Sequence, residues 1–443
     1  MRKTVEREEV ERMKIRFEKM MSEGVNGFWR ERRLMKRDET DEWIIMKNEE
    51  GKRIFDPEEN KETIATHYEK LYARAPVPPH PYHDVVKKQI TEYSQENTEE
   101  KKIDTIPTKE EIAQAIRNKK NNKATAGWKN EILKKGGLPM VEMILPVMEA
   151  FWTEEKPPRQ WNDGIITNVW KGKGDMEKMM NQRGITVSNP VGTIAEEIAT
   201  DRLTKSIQIS QAQAGGKKGG CTVDHIFILK GLMSLAIKRG MELIITFYDI
   251  RKAYDRADMD DMLSIIHEGE FKGKIWRLTQ NLNKDLTARV KTKAGTTREI
   301  KREKGGKQGG KLMVPLFAKM MDCLPVGMHQ IHSLGVEIET LRIAGLVYVD
   351  DATTFAKGYQ QQEQTLQHVN EFAIKHQLEW GEDKCKVMEV GSHREMKTEW
   401  KLGDKTITNC KNYKYLGETI SRDGKNIDNL SERFNKVDLI ESF

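Results

Sequence analysis

Apolar positions along this chain repeat at two different periods. Through residues 1–73 charged and apolar positions alternate at helical spacing, as in VEREEVERMKIRFEKMM and ENKETIATHYEKLYA, which predicts a helical N-terminal region. The segment RAPVPPHPYH, residues 74–83, holds four prolines. Each fixes φ and lacks an N–H, so an extended linker is expected there, with a helix following near Asp84–Tyr93. Thr108 followed three residues on by Glu111 is a capping-box pattern that opens the next helix. Residues 139–152 read as a buried helix. Residues 164–171 read as a strand running into the Gly/Lys turn KGKGD, and 192–207 and 222–238 as amphipathic helices.

From about residue 241 the pattern becomes strand-like. MELIITFY is a short β-branched and aromatic run that ends at Asp249, and the helix-like RKAYDRADMDDMLSIIHEGE follows it. Further on, LRIAGLVYV leads to Asp350 and Asp351, and ATTFAK supplies a return strand. This layout predicts a hairpin with two carboxylates at its tip. Helical and strand segments together make the expected class α+β.

Acidic pairs are common in this chain. Asp260-Asp261, Glu154-Glu155 and Glu196-Glu197 fit exposed helix or loop charge. Asp350-Asp351 differs because it interrupts an apolar run, and Asp249 repeats that setting at the end of another. Charges placed against a core are costly unless a cation or partner compensates. Three carboxylates on neighbouring strands form a hard oxygen set suited to Mg²⁺, which keeps waters and takes other ligands from substrate phosphates. Two such ions stabilise the attacking and leaving oxygens of an in-line displacement. The residues alone therefore point to metal-dependent phosphoryl transfer on a nucleotide or nucleic acid, without saying which.

Charge and cysteine usage add modest constraints. The net charge is +6 over 443 residues, too small to decide on a polyanionic partner. Locally, Lys284–Lys311 holds ten Lys/Arg against three acids, and Arg117–Lys135 seven against one. Both runs lie beside glycine-rich turns, which leans toward phosphate contact. The four cysteines, Cys221, Cys323, Cys385 and Cys410, are widely spaced and suggest neither a zinc site nor a disulfide framework. Free thiols fit a reducing compartment, cytosol or nucleus. The N-terminus has no signal-like apolar stretch, and nothing in the chain is long and apolar enough to span a membrane.

At this point the sequence resembles the reverse transcriptases of non-LTR, LINE-like retrotransposons. YVDD (Tyr348–Asp351) is similar to their YxDD box, and DIRKAYD (Asp249–Asp255) to their D-x-x-x-A-[FY]-D box. GGKQGGKLMVPLF (Gly305–Phe317) resembles the G-x-x-Q-G box, LEWGEDKCKVMEVG (Leu378–Gly391) the lysine-bearing segment, and KYLGETI (Lys414–Ile420) the primer-grip hairpin. Five boxes stand in family order. Upstream, Trp170–Leu203 resembles the K-G-K-G-D…N-x-R-G-I segment of LINE-type fingers, and Gln213–Leu229 loosely fits the Q-A-G segment. FWRE near Phe28 and PPRQWNDG near Pro157 point the same way.

The resemblance implies a right-hand polymerase, with helical fingers and a palm whose antiparallel sheet carries the acids. It implies the following organisation: a helical region at 1–73; a proline-containing linker and helix at 74–104; fingers with an N-terminal extension at 105–240; a palm with a fingers-return segment at 241–425; and the start of a truncated thumb at 426–443. The reverse transcriptase core would run from about 160 to 425, with no endonuclease region before it. Asp249, Asp350 and Asp351 would be catalytic. With the Ile250 carbonyl they would bind two Mg²⁺, for which Mn²⁺ is the alternative. Arg183 would contact the incoming triphosphate, Tyr254 would gate the sugar against a 2′-hydroxyl, and Gln308 and Gly309 would lie near the nascent base pair. Lys384 would stabilise the pyrophosphate leaving group, and Leu416 and Gly417 would belong to the primer grip. The implied partners are an RNA template, a DNA primer and deoxynucleoside triphosphates.

Two departures stand out. Met313 and Val314 occupy positions where the family usually has Ser-Pro, with Pro315 one place later. The Lys119–Gly137 segment lacks the family's aspartate. A catalytically silent remnant with the same fold, and an RNA-directed RNA polymerase, stand beside the reverse transcriptase reading. Tyr254 weighs against the last of these.

Overall fold

The computed structural model describes residues 46–48, 50–74, 80–121, 123, 128–217, 219–307, 309–391 and 397–424. The expectations for residues 1–45, including FWRE near Phe28, for Gln308 and for the thumb at 426–443 lie outside the described residues.

The helices are α1 (Pro57–Tyr72), α2 (Pro81–Gln95), α3 (Lys109–Arg117), α4 (Asn130–Lys135), α5 (Gly137–Glu154), α6 (Pro190–Ser206), α7 (Thr222–Arg239), α8 (Met259–Ile265), α9 (Lys274–Leu282), α10 (Met313–Gln330) and α11 (Gly358–Lys375). The strands are β1 (Asp163–Trp170), β2 (Gln182–Val187), β3 (Leu243–Tyr248), β4 (Thr287–Thr292), β5 (Gly295–Thr296), β6 (Ile300–Lys301), β7 (Val336–Ile338), β8 (Leu341–Ile343), β9 (Gly345–Tyr348), β10 (Asp351–Ala356), β11 (Lys386–Val390), β12 (Glu399–Leu402), β13 (Lys405–Asn409), β14 (Asn412–Tyr415) and β15 (Glu418–Ser421).

Two sheets organise the chain. The first has the order β12-β13-β11-β3-β10-β9, and β3 lies at its centre. Every residue of β3 is buried, because the sheet is covered on both faces. Ile244 and Tyr248 face a core shared with α10 and α11, through Leu316, Met320, Leu366 and Val369. Leu243, Ile245 and Phe247 face the other way, against Leu229, Leu232 and Met233 of α7 and Tyr415 and Ile420 of the β14–β15 hairpin. Burial on both sides explains why MELIITFY reads as a continuous apolar run rather than an alternating one.

The expected antiparallel sheet needs one correction. β11, β3, β10 and β9 are antiparallel neighbours, but β13 joins β11 in parallel. The chain leaves β11, enters β12 at the far edge, and returns as β13 into the space between. Two reversals of direction make β13 parallel to β11.

The second sheet, β2-β1-β4-β5 with β6 beside β4, lies under α1. Here Gly184 has a steric reason. A Cβ at this position would fall 2.3 Å from the Tyr68 hydroxyl, so only glycine lets α1 seat on β2. The Tyr68 hydroxyl then donates to the Asn168 side-chain oxygen of β1 at 2.6 Å.

The helical reading of 1–73 fails over Met46–Phe55. An Asn48–Gly51 turn, with Gly51 at φ +85°, folds Lys47 against Arg53 in an antiparallel bridge. Both cations are used: Lys47 Nζ lies 2.7 Å from Asp175, the last residue of KGKGD, and Arg53 2.8 Å from Glu177 just after it. Within the proline segment, α2 begins at Pro81, where a missing N–H costs nothing, and His80 Nδ1 accepts from the Tyr82 N–H. The Thr108–Glu111 capping box is formed in both directions.

The acid pairs read as exposed are in part internal. Glu196 and Glu197 are 3% and 1% exposed on α6. Lys307 Nζ donates to Glu196 at 2.7 Å and to the Trp161 carbonyl at 2.7 Å, while Lys311 and Lys119 face Glu197. Asp261 accepts from the Tyr82 hydroxyl at 2.8 Å and sits 2.7 Å from His376 Nδ1. Glu155 pairs with Arg277. The basic run 284–311 is likewise partly consumed, since Arg302, Lys304 and Lys307 are buried. Such pairs are invisible to local pattern because their partners come from distant segments.

Removing one member of a buried pair strands the other. Lys307→Met is expected to lower unfolding stability by about 3–5 kcal/mol, and Lys307→Met with Glu196→Gln to recover most of that loss. Urea denaturation of the two variants against the parent checks this.

Candidate active site

The acids sit where two buried strands end. Across β10 and β3, Ala352 pairs with Tyr248, and Asp351 and Asp249 are the next residues on each strand. Facing residues in an antiparallel ladder lie about 4.5–5.5 Å apart at Cα, so the register brings Asp249 and Asp351 together. Asp350 lies in the two-residue turn between Tyr348 and Asp351, which pair across the β9–β10 hairpin.

The electrostatics follow from this crowding. Burial, and then the Asp350 and Asp249 charges, push the Asp351 carboxyl up to about 6. Burial is also the largest cause raising Asp350, with Asp249 adding repulsion and Lys384 and Arg183 opposing it. No described side chain donates a hydrogen bond to Asp350 or Asp351. Lys384 is expected at the leaving group; the structure places its ammonium on Asp249, 2.8 and 2.7 Å from the two carboxylate oxygens.

The rest of the site comes from both sheets. Tyr254 follows β3 in a short helical turn, Ala253–Arg256, where it packs against Phe317 of α10. Burial, then the Asp350 and Asp351 charges, raise its phenol, so the ring is within electrostatic reach of both carboxylates. Arg183 is exposed on β2 and near enough to Asp350 to affect its ionisation. Ile250 is buried, and the backbone around it bridges Trp380: Arg251 N–H donates to the Glu379 carbonyl and Gly381 N–H to the Asp249 carbonyl, each at 2.8 Å. Gly309 is exposed with φ +102°, beside Ile185 and Thr186 of β2. Leu416 and Gly417 form the tight β14–β15 turn, both at positive φ, in the arrangement of a type I′ hairpin. That hairpin reaches the sheet by stacking Tyr413 on Phe247 at 4.2 Å, two residues before Asp249.

Three residues were not singled out from sequence. Lys171, at the end of β1, donates to the Met180 carbonyl, and Arg183 and Lys384 act on its charge. Lys252 has a left-handed backbone, φ 49°, directly before Ala253. Asp255 is mostly buried, raised by burial, and opposed by Arg302, Lys252, Lys171 and Arg256. Asp255 had a signal in the DIRKAYD box. The two lysines stand in the KGKGD and DIRKAYD segments, but neither was picked out as a site residue, because their approach to one another requires both sheets. At the altered Met313-Val314 position, Leu312 stands as N-cap of α10 with no capping side chain, and Met313 is buried against Gly306.

The donor set fits a hard cation of Mg²⁺ type, since carboxylate oxygens are its preferred protein ligands. Among the described residues no three His, Cys, Asp or Glu side chains form a cage able to hold a metal by themselves. The four cysteines are unpaired, and no described helix is long and apolar enough to cross a membrane.

A family model described as reverse transcriptase (RNA-dependent DNA polymerase) matches residues 171–420, more than half of the chain. The chain belongs to the reverse transcriptase family. It is 25% identical over 196 residues to the retrovirus-related Pol polyprotein from type-1 retrotransposable element R2 of Popillia japonica, covering 44% of this chain and 27% of that protein. It is 20% identical over 314 residues to the transposon TX1 uncharacterized 149 kDa protein of Xenopus laevis, covering 70% and 24%. The chain thus spans about a quarter of the length of these relatives. The α+β elements described fit the palm and fingers of the reverse transcriptase family, and both relatives are transposon proteins. As a family, reverse transcriptases are nucleotidyltransferases that generally use divalent metals and act on a nucleic-acid template and primer.

The raised Asp351 has a measurable consequence. Its folded-state value near 6 lies above the ordinary carboxylate value of about 3.9, so its contribution to stability is present below pH 4 and lost as pH rises through 6. In chelator at pH 7–8, Asp351→Asn is therefore expected to be more stable than the parent by on the order of 1 kcal/mol, after discounting for solvent screening. The gain should vanish near pH 4, and Mg²⁺ should raise the melting temperature of the parent more than that of the variant. Thermal melts across pH, with and without Mg²⁺, check both parts.

Proposed function

We propose that this chain is an RNA-directed DNA polymerase that adds deoxynucleotides to a primer 3′-hydroxyl on an RNA template. The observation that carries this reading is the convergence of Asp249, Asp350 and Asp351 at the β3–β10 strand ends, with Lys384 on Asp249 and with Tyr254 and Arg183 within electrostatic reach of Asp350.

Asp249, Asp350 and Asp351, with the Ile250 carbonyl, would hold two Mg²⁺, or Mn²⁺ in their place. When bound, these ions supply charge neutralisation for the attacking and leaving oxygens. The protein's own part is mainly positioning. Arg183 and Lys171 present cations to the triphosphate, a guanidinium matching phosphate bidentately. Tyr254 lies within electrostatic reach of the carboxylates, where the sugar of an incoming nucleotide would sit, and its ring would oppose a 2′-hydroxyl. Lys384 is within reach of Asp249, and on substrate binding it would turn to the pyrophosphate. Gly309, and Gln308 before it, would approach the nascent base pair from the β2 side. The Leu416–Gly417 turn would hold the primer against the sheet.

A second reading is a nucleic-acid-binding remnant without activity. It is favoured by one observation, the bidentate hold of Lys384 on Asp249, which neutralises a proposed ligand.

Primer extension on an RNA template with Mg²⁺ separates the two. The parent is expected to extend, and Asp350→Asn to lose at least about a thousandfold in rate. Tyr254→Ala is expected to retain extension and gain ribonucleotide incorporation by about tenfold or more. No extension by the parent, with RNA retained in a gel-shift assay, would establish the remnant.

A further inference from the structure

The YVDD turn is strained, and one buried side chain from outside the box holds it. Tyr348 and Asp351 pair, leaving Val349 and Asp350 as a two-residue turn. Val349 has φ +60°, while Asp350 does not share a positive φ. This is the pattern of a type II′ turn, whose first central position favours glycine. A β-branched residue is poorly suited to the left-handed region.

We propose that Gln213 is a positioning residue that fixes this turn and thereby aims Asp350. Gln213 lies in the loop between α6 and α7 and is 0% exposed. Its side-chain oxygen accepts from the Val349 N–H at 3.0 Å and from the Gly215 N–H at 2.8 Å. Its amide nitrogen donates to the Ala318 carbonyl of α10 at 3.2 Å.

The same segment straps the adjoining strand. Val347 N–H donates to the Ala212 carbonyl at 2.8 Å, and Ala214 N–H to the Val347 carbonyl at 3.1 Å. Gly215 closes the strap: a Cβ there would lie 2.4 Å from Val349 Cγ2 and 2.6 Å from Val349 N. Val349 is therefore gripped on its amide by Gln213 and on its side chain by Gly215, one residue before Asp350.

The chemistry selects glutamine. The site needs one acceptor for two N–H groups and one donor for a carbonyl, all out of water. An ionised glutamate cannot donate, asparagine is one methylene too short, and methionine fills the space without bonding. An ordinary buried glutamine would satisfy itself wherever partners exist. This one is spent on the amide of the single residue in YVDD that has an unfavourable φ.

The inference rests on the polymerase reading of the acids, so its test has one arm that does not need activity. In hydrogen exchange on the metal-free protein, Gln213→Met is expected to speed exchange of the 345–352 peptide by about tenfold or more, with the remaining β3 and β11 peptides unchanged. Gly215→Ala should do the same without removing the amide.

In primer extension with poly(rA), oligo(dT), dTTP and Mg²⁺, Gln213→Met is expected to lower kcat by about tenfold or more, with KM for dTTP changed by less than about threefold, since a misplaced catalytic group costs rate rather than binding. Adding Val349→Gly to Gln213→Met should restore part of both losses, because glycine accepts the positive φ without help. A residue that merely fills the core would give additive losses instead. Unchanged hairpin exchange in Gln213→Met, faster exchange with unchanged kcat, or additivity with Val349→Gly would each overturn the proposal. If Gln213→Met does not fold, Gln213→Glu and Gly215→Ala carry the same comparisons. If the parent itself does not extend, the polymerase reading fails, and the exchange arm with Val349→Gly still decides whether Gln213 holds the turn.

Discussion

Like charges at the ends of two paired, doubly buried strands are the constraint around which this molecule is arranged. The β3–β10 register sets Asp249 beside Asp351, and the hairpin turn adds Asp350. Apolar packing on both faces of the sheet keeps the strands in place, while burial and the neighbouring Asp249 charge make Asp350 and Asp351 resist ionisation. The core supplies the stability and the site spends it. Such conflict between local cost and overall fold is what a functional site looks like energetically. The hold of Lys384 on Asp249 is a partial answer from within the chain, and a divalent cation would be a fuller one.

The second sheet and the N-terminal helix bring the opposite charge. Gly184 allows α1 to lie on β2, and Lys47 and Arg53 clamp the end of the KGKGD turn through Asp175 and Glu177. These contacts carry no chemistry, but they hold the β1–β2 hairpin from which Arg183 acts on Asp350. The Lys307–Glu196 pair does similar work from beneath, tying the glycine-rich 305–311 segment to α6. The residues that would meet phosphate therefore rest on ion pairs made within the protein, of which Lys307–Glu196 is buried.

Local physics made much of the fold readable. The Thr108–Glu111 box and the continuous apolar β3 each express a short-range rule, a cap and burial on two faces, whereas the start of α2 at Pro81 fell inside a segment read as an extended linker. The parallel β13, the bridge at Lys47–Arg53, and the burial of Glu196, Glu197 and Asp261 were not readable. In each case the partner lies far away in sequence, and charge pattern alone cannot tell a solvated acid from a paired one.

By itself the sequence determined that three aspartates would end apolar strands, that YVDD and DIRKAYD would stand in reverse transcriptase order, and that Tyr254 would follow Asp249 at short range. These are consequences of composition and spacing, which survive without coordinates. Only the tertiary structure decided which strand residues face one another, that Lys384 rests on Asp249, that Lys171 and Lys252 join the site, and that Gln213 reaches the amide of Val349. The physical reason is that hydrogen bonds and ion pairs depend on a few ångströms of separation between segments, a quantity set by how two cores pack and by no local rule.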